Sequence, residues 1–141
     1  MDVAALIKKH EGLRLKPYKC SAGHWTVGYG HSLTAHNEKV PEIIDLGTAE
    51  ALFQEDLNQA TADCYEVVPE FSQFGDVRRA VFTDMAFNLG RAGLKGFRGT
   101  LAAVRRRDWP EVAVHMINSK WARVNPNRTL TLVGMILSNQ W

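Results

Sequence analysis

Between Glu11 and His31 the chain gathers a carboxylate, the Cys20 thiol, the Thr26 hydroxyl and the imidazoles of His24 and His31, set among glycines and aromatics. Two chemistries compete for such a set. A carboxylic acid at Glu11 can protonate a leaving oxygen while a second group handles a water across an oxocarbenium-like transition state, which is glycoside hydrolysis. Alternatively, Cys20 can act as a nucleophile activated by His24 or His31, as in a cysteine hydrolase. That second arrangement lacks a clear group to orient the base. Each residue also has an ordinary use: Glu11 in a salt bridge, Thr26 as a β-former, His31 as a satisfied buried imidazole. Only their combination points to a site.

These side chains need elements to hold them. Asp2 can cap a helix running to about Gly12, with Val3, Leu6, Ile7 and His10 on one face. Glu11 then sits in its last turn, facing the negative end of the helix macrodipole, the electrostatic setting that suits a general acid. From Leu13 to Leu33 the pattern is one of short strands, with Ser21-Ala22-Gly23 as a hairpin turn. Trp25, Val27 and Tyr29 alternate with Thr26, Gly28 and Gly30, which leaves a small-residue face open to another backbone or a ligand. Residues 34–47 read as loop with one edge strand.

Thr48 can cap a long second helix to about Tyr65 with an apolar stripe of Leu52, Phe53, Leu57, Ala60 and Cys64. Pro69 breaks it. A third helix, capped by Asp76 and ending at Gly90, is apolar nearly all round and therefore predicts a buried centre. The segment Gly90, Gly93, Gly96 and Gly99 is jointed, and Thr100 opens a helix to about Arg107. Asp108 and Glu111 form a capping box for a helix through Trp121, and Asn125-Pro126-Asn127 starts a last helix. The expected fold is α+β and mostly helical. A β-hairpin lobe (about 13–47) is joined by a connecting helix (48–65) to a helical lobe (about 66–141 plus helix 2–12), with a ligand cleft between them.

At 141 residues the chain has the size of one domain, and its composition is that of an ordinary soluble protein. Residues 1–70 carry six basic and eleven acidic side chains, a net of −5, whereas 71–141 carry eleven basic and four acidic, a net of +7. The cationic half suits a polyanion. Such clusters are ordinarily solvated basic faces; Arg105-Arg106-Arg107 has no interleaved aromatics and no nucleic-acid motif, so no nucleic-acid partner is expected, and an anionic cell envelope fits the charge equally well. Cys20 and Cys64 are too few for a disulfide framework and lack metal-ligand spacing, so free thiols and no metal or cofactor are expected. Val3–Ile7 is too short for a signal or membrane segment, which points to a cytoplasmic protein without membrane insertion.

The run His10-Glu11-Gly12-Leu13-Arg14-Leu15-Lys16-Pro17-Tyr18, followed by Thr26-Val27-Gly28-Tyr29-Gly30-His31, resembles the signature of phage-type lysozymes, glycoside hydrolase family 24. Val77-Arg78-Arg79-Ala80, Phe87-Asn88-Leu89-Gly90, Gly96-Phe97, Trp109, Trp121 and Pro126-Asn127-Arg128 continue the resemblance over nearly the whole chain. The family pattern is a catalytic Glu, an Asp or Cys nine positions later, and a Thr six positions after that, which Glu11, Cys20 and Thr26 match.

The resemblance implies cleavage of the β-1,4 bond between N-acetylmuramic acid and N-acetylglucosamine in peptidoglycan, with inversion. Glu11 would be the general acid, and Cys20 and Thr26 would handle the water. Cys20 departs from the commoner Asp. A thiol with an ordinary pKa of about 8.5 is mostly neutral at pH 7, and Lys16 and Lys19 are the expected source of a lowered value. Tyr18, Gly30, Phe87, Asn88 and Arg128 would contact substrate, with Arg128 also reaching Glu11. His31 would pair with Asp56 on the long helix as structural support. The implied protein is a monomeric endolysin in the host cytoplasm that depends on a holin to reach the wall. The rival is a wall-binding module of the same fold in which Cys20 has crippled catalysis.

Overall fold

In the computed structural model, which describes Met1–Trp141, the Asp2 carboxylate accepts from the Ala5 N–H at 2.8 Å and opens α1 (Val3–Glu11). Gly12, with its N–H bonded to the Lys8 carbonyl, stops the helix and leaves Glu11 in its last turn. Three antiparallel strands follow in the order β1 (Arg14–Lys19), β2 (Trp25–Gly28) and β3 (His31–Ser32). Tyr18 lies opposite Thr26, and Val27 opposite His31. The Ser21–Gly23 turn closes as expected, with the Gly23 N–H donating to the Cys20 carbonyl at 2.8 Å. The alternation expected through Gly30 ends at Gly28. Gly28 and Gly30 adopt φ +67° and +71°, a region glycine enters without steric cost, so the chain turns there instead of extending.

α2 (Leu46–Val67) begins earlier than expected, because Asp45 rather than Thr48 is its cap: the Thr48 N–H donates to Asp45 Oδ1 at 2.7 Å. Pro69 and a left-handed Glu70 end the element, and a short 3₁₀ turn follows at Phe71–Gln73. α2 packs on β2 and β3 at one end and on α3 (Asp76–Lys95) along its length. Gly75, not Asp76, is the α3 cap. The expected stop at Gly90 is a kink at φ +73°, beyond which the helix resumes to Lys95.

α4 (Arg98–Arg105) starts before Thr100. The helix expected from Asp108 through Trp121 is instead two, α5 (Trp109–Ile117) and α6 (Lys120–Val124), because Ser119 Oγ accepts from the Ala122 N–H at 3.0 Å and caps a new start. α7 (Pro126–Ser138) has its proline in the first turn, where a missing N–H costs nothing.

The main core surrounds α3, where Phe82 and Met85 are fully buried against Leu6, Leu94, Val104, Met116, Leu132 and Ile136. Ile7, Phe53 and Leu57 form a second cluster joined by Tyr29 and Phe87. α1 thus puts Leu6 into one core and Ile7 into the other, and truncating either to Ala would cost about 2–5 kcal/mol. Its last residue is Glu11. No helix is long and apolar enough to cross a membrane.

Candidate active site

Glu11 is fixed by residues far from it in sequence. Arg128, in the first turn of α7, donates from Nη1 to Glu11 Oε1 at 2.8 Å and from Nε to Asp84 Oδ1 at 2.7 Å. Asp84 Oδ2 lies 2.7 Å from His10 Nδ1, so the series His10–Asp84–Arg128–Glu11 ties α1, α3 and α7 together. Asp84 is fully buried and Arg128 only 8% exposed. Burial alone would favour loss of the guanidinium proton, but the Asp84 and Glu11 carboxylates outweigh it and hold the Arg128 pKa above its usual range. On the other side of Glu11, a Cβ at Gly30 would sit 2.3 Å from Oε2, so the β2–β3 turn closes over the carboxylate only because this residue is glycine.

Cys20 directly follows the first strand and is half-buried. Burial pushes its thiol up, yet hydrogen bonds from the His24 and Ala22 backbone and the Thr26 hydroxyl prevail and draw it below the ordinary value. The expected cause, Lys16 and Lys19, contributes nothing: the Lys19 ammonium lies 5.4 Å over the Trp25 ring instead. Thr26 is buried, and its Oγ1 donates to the His24 carbonyl at 3.1 Å. The hydroxyl has one proton to give, to this carbonyl or to the Cys20 thiolate, and its oxygen keeps lone pairs that accept. Tyr18, opposite Thr26, carries Arg14 over its ring at 4.5 Å. Burial raises the Tyr18 pKa, and so do the charges of both Glu11 and Cys20, while Arg14 lowers it.

A cleft of about 390 Å³ opens beside this group, walled by His24, Gly30, His36, Asp56, Phe87 and Asn88. Phe87 packs against Phe53 with centroids 5.5 Å apart, so it serves core and cleft together. Asn88 Oδ1 accepts from Trp121 Nε1 at 2.8 Å, which leaves its amide nitrogen for a ligand. A larger cavity of about 620 Å³, walled by α4–α6 residues such as Phe97, His115 and Trp121, contains no carboxylate and lies apart from Glu11.

Gly30, which lines this cleft, covers the arginine-clamped Glu11 carboxylate, while Glu11, Cys20 and Thr26 themselves do not line it. A family model described as phage lysozyme matches residues 8–135. The chain belongs to the phage lysozyme family. It is an enzyme of the lysozyme class of glycoside hydrolases. It is 28% identical to "Probable T4-type lysozyme 1" of Dictyostelium discoideum over 96% of this chain and 93% of that protein. An "Endolysin" of Acyrthosiphon pisum secondary endosymbiont phage 1 is 53% identical over 40% of this chain and 37% of its own. "Pre-baseplate central spike protein Gp5" of Enterobacteria phage T4 is 28% identical over 98% of this chain, which corresponds to 28% of that protein.

His31 is 2% exposed, with Nδ1 2.7 Å from Asp56 Oδ2 and Nε2 2.8 Å from Glu38 Oε1. The Asp56 hydrogen bond is the main reason its pKa is raised. Burial works against this, and Glu38 adds to the increase. Sequence reasoning missed Glu38, His10 as a partner, and Asp84. Of these, Asp84 left a signal: a single carboxylate in the middle of a helix apolar on every side needs a buried cation.

Proposed function

We propose that this lysozyme is a muramidase that cleaves the β-1,4 bond from N-acetylmuramic acid to N-acetylglucosamine with inversion, and that Glu11 is its general acid. The observation that carries this reading is the clamp on Glu11: Arg128 on one oxygen and the side-chain-free Gly30 against the other. Protonated Glu11 gives its proton to the glycosidic oxygen as the bond from that oxygen to the anomeric carbon breaks. Arg128 stabilises the carboxylate left behind. Water attacks the anomeric carbon from the opposite face, with one of its protons directed to the Thr26 lone pair and another to the Cys20 thiolate. A lowered thiol pKa raises the thiolate fraction available for this step. Tyr18, Phe87 and Asn88 bind the sugar chain, and Arg128 Nη2, buried without a protein partner, is a donor left for substrate or water. His31 and Asp56 hold the sheet to α2.

In this reading the protein acts in host lysis as a monomeric endolysin. It is released from the host cytoplasm through a hole made by a holin and is concentrated on the anionic envelope by its basic C-terminal half. The test compares turbidity loss of chloroform-treated bacteria for the parent, Glu11→Gln, Cys20→Ala and Cys20→Asp, with mass analysis of the fragments. Reducing N-acetylmuramic ends, lost with Glu11→Gln and retained with Cys20→Asp, are expected. Equal clearing by parent and Glu11→Gln would favour the wall-binding module, and an alanine variant as active as the parent would remove Cys20 from the mechanism.

A further inference from the structure

Outside the Glu11 site, the loop that follows β3 brings two histidines and a glutamate together. The His31 and His36 rings stack with centroids 4.5 Å apart and planes 23° apart, and one donor atom from each of His31, His36 and Glu38 lies within 4.8 Å of the other two. Both rings are oriented from behind. His31 Nδ1 is 2.7 Å from the Asp56 carboxylate and His36 Nδ1 is 2.7 Å from the Ser32 carbonyl. Each of those partners is an acceptor, so each Nδ1 carries a hydrogen, while His31 Nε2 faces Glu38 Oε1 at 2.8 Å and His36 Nε2 lies 3.9 Å from Asp56 Oδ1. Metal-ligating histidines have this arrangement, with the second ring nitrogen donating to a carboxylate or a backbone carbonyl.

We propose that His31, His36 and Glu38 form a binding site for a divalent transition-metal ion of the zinc class. Two imidazoles and one carboxylate are a donor set that selects zinc, cobalt or nickel over magnesium or calcium, and three protein ligands leave a position for water. Without metal, a proton shared between His31 Nε2 and Glu38 Oε1, 2.8 Å apart, occupies the place the ion takes. Asp56, bonded to His31 Nδ1 and with Oδ1 3.9 Å from His36 Nε2, adds negative charge beside both rings. The ion clips the 32–38 loop to β3 and, through Asp56, to α2. His36 and Asp56 also wall the 390 Å³ cleft, so the clip rigidifies one side of the groove. The proposal is independent of how Glu11 acts. This proposal departs from the sequence-based expectation of no metal, because His31 and His36 meet only through the loop's conformation.

The test uses the full chain stripped with chelator, with Zn²⁺ and Co²⁺ titrated into the parent, His36→Ala and Glu38→Gln, both exposed positions whose loss leaves the core intact. The parent is expected to bind one equivalent, to gain at least about 3 °C in melting temperature at saturating Zn²⁺, and to show visible Co²⁺ bands. Mg²⁺ should do none of this, and both variants should bind at least about tenfold more weakly. No Zn²⁺ shift in the parent, a shift downward, or bands that persist unchanged in His36→Ala would overturn the site.

Discussion

Gly30→Ala should separate activity from stability. At φ +71° an alanine adopts the left-handed conformation at a cost of about 1–2 kcal/mol. Its Cβ, however, would lie 2.3 Å from Glu11 Oε2, and carbon–oxygen contacts of this kind are not made much below about 3 Å. The carboxylate end is the movable partner, so Glu11 must give way by roughly 0.7 Å or more, and a displacement near 1 Å at a reacting group costs about 10²-fold in rate. It also loosens the 2.8 Å bond to Arg128. Gly90→Ala is the control, with φ +73° and nothing within 4 Å of the added Cβ. Both variants should unfold at lower urea concentrations than the parent, Gly90→Ala included, because its φ +73°, ψ 171° is a region that essentially only glycine enters. Only Gly30→Ala should lose about 10²-fold in wall-lysis rate. A Gly30→Ala enzyme within threefold of the parent would refute the claim that Glu11 is held in place by this contact.

Asp84→Ala removes the carboxylate between His10 and Arg128 and leaves a buried guanidinium with Glu11 alone. A loss of about 3–5 kcal/mol is expected in denaturant unfolding, and a loss under 1 kcal/mol would mean that the pair contributes little. Burial pushes the Cys64 thiol up to about 12, so iodoacetamide at pH 8 should label Cys20 and spare Cys64 in the native protein, as read by peptide mass. The His31 pKa is raised on folding, so its stabilisation is complete below about pH 6.5 and is lost as pH rises through the folded value. In chelator, His31→Asn should therefore be most destabilised relative to the parent near pH 5–6 and least at alkaline pH, and a pH-independent difference in melting temperature would count against the pair. Raising salt should release the protein from anionic envelope before it slows hydrolysis of small soluble fragments, and salt-independent cosedimentation would rule out the basic half as the anchor.

Much of the fold was legible in the sequence because its signals are local. The Asp2 and Asp108 caps, the α2 stripe, the 21–23 turn and the apolar circumference of α3 each depend on residues within a turn or two. The errors were local as well: Asp45 outcompeted Thr48 as a cap, Ser119 restarted a helix that periodicity would have carried on, and positive φ at Gly28 and Gly30 converted an alternating strand into a turn. The Glu11, Cys20 and Thr26 spacing could be read because one helix end and one hairpin carry all three.

What the sequence determined by itself was therefore most of the helices, the hairpin and the reactive groups along 21 residues of chain from Glu11 to His31, but not the edge strand expected in 34–47, which is absent, nor the break between α5 and α6. Tertiary structure alone decided the environment of those groups. The Glu11–Arg128 pair spans 117 positions and exists because α7 packs on α3 beside α1, with Asp84 neutralising the buried cation between them. The lowered Cys20 thiol came from backbone N–H groups of its own hairpin, not from the lysines nearest in sequence. His31, His36 and Glu38 converge for the same kind of reason: charges and lone pairs act over a few ångströms of space, and the folded chain sets which residues are that close.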